Sequence, residues 1–235
     1  MTELCFDGLV NARDLGGIPI GTGGRVRTGR LYRSETPQLM TPADVARAIG
    51  QLGVRRVIDL RGKRGGGSGP LGGEDRGIVV DYFDIAGGFD GQRDFSADGF
   101  LPSQLDLGAP AVGLILEHLV SEDGATLIHC HTGKDRTGYV IAVILAMVGV
   151  DDEHIVADYV RSSPIFLAMM ANLRAAGMGV PGDAPEYARH APSSVGIGAM
   201  LTRLRREWPS PQAYLASFGV DRELMAQVCL LLTVP

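Results

Sequence analysis

The chain has 235 residues, a formal net charge of −5, 45% apolar residues and 21% charged residues. This composition excludes wholesale disorder, and at roughly 150 residues per domain the length allows one generous domain or two small ones. The acidic balance argues against a general nucleic-acid or anionic-membrane binder, since either needs a net basic face. Three scattered cysteines, Cys5, Cys130 and Cys229, exclude a disulfide scaffold and fit a reducing, cytoplasmic setting.

The start, MTELCFDGLVNARDLGG, has no basic segment followed by an apolar stretch, so no signal peptide is expected. The longest apolar run, Tyr139 to Val148, is well short of the roughly 20 residues that cross a bilayer, and no membrane insertion is expected. Leu31 to Arg33 reads as a short strand. Thr41-Pro42-Ala43-Asp44 combines a cap, a proline at the first helical position and an acid in the first turn, which predicts a helix to about Leu52. Arg56 to Leu60 (RVIDL) is a buried strand by its β-branched content. Arg61 to Gly77 contains GGGSGP and reads as a flexible loop. Ile78 to Ile85 is a second core strand. Ala86 to Gly108, polar and glycine-rich with isolated aromatics, reads as a long loop or lid.

Ala109 to Leu119 has helical spacing, and Ala125 to His129 (ATLIH) is another short buried strand. A polar turn, Cys130 to Arg136, leads into a strongly apolar helix from Thr137 to Val148. Asp151 and Asp152 open a further helix to about Arg161. The C-terminal third is predicted helical at 164–176, 194–207, 210–218 and 221–232, with Gly177 to Pro192 broken by glycine and proline. No linker separates two hydrophobic cores. The expectation is a single α/β domain over 1–235. It has a central, mostly parallel sheet of four or five strands, helices on both faces, and lid segments at 86–108 and 164–192. Cys130 falls at the carboxyl end of a central strand, where open α/β sheets bind ligands.

The chemistry concentrates in His129-Cys130-His131-Thr132-Gly133-Lys134-Asp135-Arg136-Thr137-Gly138. A strand end turning into a helix start presents unpaired N–H groups and a partial positive charge, an anion cradle. A cysteine that begins the cradle has its thiolate stabilised and suits a nucleophile. Arg136 offers a planar fork for phosphate oxygens, Lys134 a second cation, and Gly133 a tight turn. Thr137 can donate its hydroxyl to the sulfur. GK without a following Ser or Thr is not a nucleotide P-loop, and adjacent His129, Cys130 and His131 are poorly spaced for zinc.

Cys-x5-Arg followed by Thr resembles the signature loop of the protein tyrosine phosphatase superfamily. The fuller HCHTGKDRTG resembles that of its bacterial branch. Asn11 to Gly17 (NARDLGG), Arg30 to Ser34, Val57 to Arg61 and the tail from Ser210 to Leu232 resemble further motifs of that branch. The resemblance implies two-step phosphomonoester hydrolysis, without metal or cofactor. Cys130 attacks phosphorus and forms a phosphocysteine. His131, Thr132, Gly133, Lys134, Asp135 and Arg136 hold the phosphoryl group, and Thr137 assists the sulfur.

Two aspartates compete as general acid: Asp135 inside the loop and Asp84 after the second core strand. Asp135 has a competing role in orienting Arg136. Asp59 and Arg61 either hold the site from its edge or form an ion pair at a strand end. Arg13, with Asn11 and Asp14, either reaches the phosphate or braces the fold, and His129 braces the loop backbone. His131 faces either the substrate or solvent. A loop lysine implies phosphoinositides as well as phosphotyrosine proteins as substrates; a small metabolite phosphate is the alternative. A non-catalytic phosphate-binding module is disfavoured because Cys130, Arg136 and Thr137 are all intact.

Overall fold

Five consecutive buried residues, Ala125–His129, form the strand around which the chain is arranged (β7). The computed structural model describes residues 2–63, 67, 69–72, 74–85, 97–121, 123–178 and 190–235. Strand β7 lies between Leu31–Ser34 (β4) and Val54–Asp59 (β5), parallel to both, and β5 pairs in parallel with Val79–Tyr82 (β6). The register sets Ser34 and Asp59 on either side of His129, so three strands end together beside Cys130.

This parallel core of four strands matches the expected sheet. Two strands of two residues, Thr2–Glu3 (β1) and Arg13–Asp14 (β2), extend it antiparallel beyond β4, giving six strands among the described residues. They carry no period-two apolar pattern, which is why the sequence does not announce them. A separate pair joins Arg25–Val26 (β3) to Thr233–Val234 (β8) and ties the tail to the N-terminal region. Strand β6 is the sheet edge and only half buried, not the core strand expected from Ile78 to Ile85.

Strand alternation sends Ile58 and Ile128 to one face and Tyr32, Val57 and Leu127 to the other. Helix α1 (Pro42–Gly50) covers the second face; its Thr41–Asp44 capping box is formed in both directions. The first face carries α3 (Ala109–Val120), α4 (Asp135–Met147), α5 (Asp152–Val160) and the tail helices α7 (Ser194–Glu207), α8 (Pro211–Ser217) and α9 (Arg222–Leu232). Helix α4 is buried on all sides from Thr137 to Met147. Its valines, isoleucines and Gly138 cost at most about 1 kcal/mol each in helix propensity, whereas burial of each large apolar side chain contributes about 1.5–3 kcal/mol, so packing decides.

The expectation of a loop from Ala86 to Gly108 is corrected in its second half: Ala97–Leu107 is a helix (α2). Phe100, Leu101 and Leu105 are buried in the main core. Arg203 of α7 holds α2 through the Pro102 carbonyl at 2.8 Å and both oxygens of Asp106 at 2.8 and 2.6 Å. Tertiary packing overrides the local signal of Pro102, Ser103 and the flanking glycines. Residues 86–96 lie outside the described residues. In the second proposed lid, Phe166–Ala175 is a helix (α6), and 179–189 lie outside the described residues. The Arg61–Gly77 loop contains two single turns, Gly69–Leu71 and Glu74–Arg76. Among the described residues no single helix is long and apolar enough to cross a membrane. Gly99–Leu107 and Ala109–Val120 pass that test only together, bent by 74°.

Candidate active site

The loop between β7 and α4 is shaped by what its carbonyls bind. The Cys130 carbonyl lies 2.9 Å from His129 Nδ1, and the His131 carbonyl accepts from the Thr36 N–H at 2.9 Å. The Thr132 carbonyl accepts from Asn11 Nδ2 at 2.9 Å, and the Gly133 carbonyl from Arg33 Nη2 at 2.6 Å. Four successive carbonyls are thus held by groups of the surrounding protein. A trans peptide places C=O and N–H on opposite sides. The N–H groups of His131, Thr132, Gly133 and Lys134 therefore turn away from those partners, towards the concave side of the loop. Helix α4 adds its own first N–H groups, with no side-chain cap on them. The result is an anion cradle at a helix start. Gly133 makes the turn possible: its φ is +67°, and a Cβ there would lie 2.3 Å from the Ser34 carbonyl oxygen.

Cys130 opens this cradle and is buried. Burial alone raises its thiol pKa, but the Arg136 guanidinium and the hydroxyl and N–H of Thr137 outweigh it, so the net direction is down. The Thr137 hydroxyl is itself buried, without an oxygen or nitrogen partner among the described residues. His129 is fully buried, and burial pushes its pKa down to about 4. It is therefore neutral, and its contact with a carbonyl fixes the proton on Nδ1. His131, half-buried, is also lowered to about 4, by burial and by Arg61 and Arg136.

Beneath the loop lies a cluster of buried charge. Asp158 of α5 accepts from Arg13 Nε at 2.7 Å and from Arg33 Nη1. Arg13 also donates to Asn11 Oδ1 at 2.7 Å and to the Asp158 carbonyl at 2.8 Å. Ser162 donates to Asn11 Oδ1 at 2.9 Å. Burial and the neighbouring Arg33 push the Arg13 pKa down to about 10, so it stays charged at neutral pH. Burial raises Asp158, but Arg33 and Arg13 reverse this and hold it below the usual carboxylate range. Glu35 caps the N–H groups of Val10 and Asn11, at 2.7 and 3.0 Å. The NARDLGG stretch thus braces the loop through Asn11 and Arg13, while Asp14 ties a neighbouring turn through the N–H groups of Gly16 and Gly29.

On the other side, Asp59 and Arg61 form a two-point ion pair at 2.9 and 2.8 Å, and Asp59 Oδ2 lies 3.9 Å from His129 Nε2. Asp84 is exposed and pairs with Arg61 through a short antiparallel bridge. Lys134 is buried, lies 5.2 Å from the Phe166 ring centroid and donates to the His190 carbonyl. Its ammonium also contacts Asp135 Oδ2 at 3.1 Å. Asp135 and Arg136 are half-exposed in the first turn of α4.

Arg33 and Asp158 were not among the residues expected at this site. One signal was present: Ile155, Asp158 and Tyr159 share the buried face of α5, and an acid on an apolar face demands a partner. Among the described residues there is no cluster of three or more His, Cys, Asp or Glu suited to a metal.

A cysteine whose thiol pKa is lowered by a neighbouring guanidinium, at the base of an N–H cradle, suits a phosphate-sized anion. The chain is similar to several known phosphatases. A candidate tyrosine-protein phosphatase of Cupriavidus necator is 32% identical over 201 residues, 76% of this chain and 70% of that one. A tyrosine-protein phosphatase of Nostoc commune is 33% identical over 113 residues, 46% of this chain and 38% of its own. The triple specificity protein phosphatase PtpB of Mycobacterium tuberculosis is 51% identical over 45 residues, 19% of this chain and 16% of its own. The tyrosine phosphatase family as a whole matches residues 4–233, and the chain belongs to that family as a phosphatase.

Proposed function

We propose that the chain hydrolyses phosphotyrosine monoesters in two displacements through Cys130. The thiolate sulfur attacks phosphorus; the S–P bond forms as the P–O bond to the tyrosyl oxygen breaks, and the Asp135 carboxyl gives that oxygen its proton. Water then attacks phosphorus, the S–P bond breaks, and the Asp135 carboxylate takes the water proton as inorganic phosphate and the thiolate are released. Arg136 and the loop N–H groups hold the equatorial oxygens in both steps, where preorganised charge is the main source of acceleration. The observation that carries this reading is the outward fixing of four loop carbonyls around a thiol whose pKa is lowered. Asp135 is preferred to Asp84 because it belongs to the loop, whereas Asp84 sits at a strand end beside Arg61.

The substrate follows from the cations. Lys134, the residue that tied the loop to phosphoinositides, has its ammonium packed on Phe166 and bound to the His190 carbonyl and Asp135. Its ammonium is already engaged by these three partners, which favours an ester with a single phosphate. The names of the relatives support tyrosine esters. A thiolate nucleophile works in a reducing compartment, which supports a cytoplasmic setting.

Phosphate release in EDTA tests the reading. The panel is a phosphotyrosine peptide, phosphoserine and phosphothreonine peptides, several phosphoinositides and several nucleotide or sugar monophosphates. The phosphotyrosine peptide is expected to turn over fastest, and Cys130→Ser is expected to bind phosphate without turnover. Turnover surviving in Cys130→Ser overturns the mechanism. Preference for a phosphoinositide or a metabolite overturns the substrate.

A further inference from the structure

Tyr159 lies on α5, outside the catalytic loop, yet its hydroxyl donates to Asp135 Oδ1 at 3.0 Å. The ring is buried beneath the first turns of α4. It reaches Asp135 only because position 138 is glycine: a Cβ at Gly138 would lie 2.6 and 2.7 Å from two ring carbons of Tyr159. The other Asp135 oxygen is held by Lys134 at 3.1 Å. Each carboxylate oxygen thus has one fixed donor, which sets both the rotation of the carboxylate about its axis and the side it turns to the loop. The residue before Tyr159 in the chain is Asp158, whose carboxylate holds Arg13 and Arg33 under the same loop. The ring therefore sits on a turn of helix that is itself anchored.

We propose that Tyr159 is a positioning residue: it orients the Asp135 carboxyl for proton transfer to the leaving oxygen and from the attacking water. Gly138 is the gap that admits the Tyr159 ring. The proposal rests on the phosphocysteine reading and adds a residue that does not touch the substrate. Proton transfer by a well-placed group contributes about 10²–10⁴-fold, and it matters in proportion to how poorly the leaving oxygen departs. A misoriented acid therefore harms poor leaving groups selectively, which a general loss of packing does not do.

The test compares kcat/KM for p-nitrophenyl phosphate and phenyl phosphate, because kcat/KM reports the step that expels the phenol. In Tyr159→Phe, which keeps the buried ring, the ratio of the two values is expected to rise about 10-fold, a fraction of the full acid effect. Asp135→Asn is expected to raise it more, and the double variant no further than Asp135→Asn alone. Gly138→Ala, by displacing the ring, is expected to imitate Tyr159→Phe. A ratio within about twofold of wild type in Tyr159→Phe overturns the inference whatever Asp135→Asn does. So does a double variant in which the two effects multiply. Failure of the underlying chemistry has a different signature, turnover retained in Cys130→Ser.

Discussion

Two buried carboxylates brace the catalytic loop from opposite sides, and they are built in different ways. Asp59 is the last residue of β5 and Arg61 follows two positions later, and the pair closes locally through a fork and the Arg61 N–H. Asp158 joins Arg13 and Arg33, which are 145 and 125 positions away. The first pair faces His129 and the strand ends. The second is continuous with the loop backbone, through Arg33 to the Gly133 carbonyl and through Arg13 and Asn11 to the Thr132 carbonyl. A local pair stiffens one element. A pair assembled from three distant segments makes the loop geometry depend on the whole fold.

The largest expected effect tests that difference. Asp158→Asn leaves two buried guanidinium groups facing a neutral amide, and breaking such a cluster costs about 3–5 kcal/mol. Asp59→Asn leaves one, Arg61, which keeps the Gly67 carbonyl at 2.6 Å; its expected cost is about 1–3 kcal/mol. Urea unfolding of the two variants checks the order. Equal losses would mean that the two braces carry the same load and that the contrast has no energetic content.

A second effect belongs to the Asp59 side. His129, ordinarily near 6.5, is lowered to about 4 by burial. Between those values the unfolded chain takes up a proton at this ring and the folded chain does not. Stability therefore falls as pH drops through the window and is level above it. The full depression corresponds to about 3 kcal/mol. His129→Asn is expected to lose less stability than wild type between pH 7 and pH 4.5, measured by urea unfolding at each pH. Parallel losses would place the acid sensitivity elsewhere.

What the sequence made legible follows the same local and distant division. Strand Ala125–His129 has identical bounds in sequence and structure. The tail helices expected at 210–218 and 221–232 form at Pro211–Ser217 and Arg222–Leu232, where the side chains of Ser210 and Asp221 cap them. The loop from Cys130 to Arg136 was legible because its chemistry is contiguous. Helix α2 was not, because the packing of Phe100, Leu101 and Leu105 against a distant helix overrides Pro102 and the neighbouring polar residues. Asp158 was hidden among the acids of Asp151-Asp152-Glu153, and its partners lie far away in sequence. Lys134 was visible as a second cation of the loop, but its partners Phe166 and His190 lie 32 and 56 residues further along.

Gly133 is where the distant brace meets the loop, and a methyl group there separates geometry from charge. A non-glycine residue at positive φ costs about 1–3 kcal/mol, and the added Cβ would also meet the backbone of Ser34 and Glu35 at 2.3 and 2.7 Å. Gly133→Ala is expected to move the loop off the Arg33 fork and lower kcat/KM about 100-fold, as a misplacement of about 1 Å does. Near-normal kcat/KM would show that the Arg33–Gly133 contact does not set the loop.

The smallest expected effect leaves both braces in place and addresses the sulfur alone. Thr137→Val removes the hydroxyl that acts on Cys130 and keeps the buried shape. Burial continues to push the thiol up and Arg136 continues to pull it down, so only one of the opposing influences is lost and the pKa rises towards the ordinary thiol range. The thiolate fraction at a given pH is then lower, and the deficit shrinks as pH increases. Titration of thiolate absorbance at 240 nm, taken as a difference against Cys130→Ser, is expected to show a higher midpoint in Thr137→Val. kcat/KM should follow, reduced most at the acid end and recovering towards alkaline pH. An unmoved midpoint with reduced activity would show that the hydroxyl acts on the reaction by another route, with Arg136 and the loop N–H groups holding the thiolate without it.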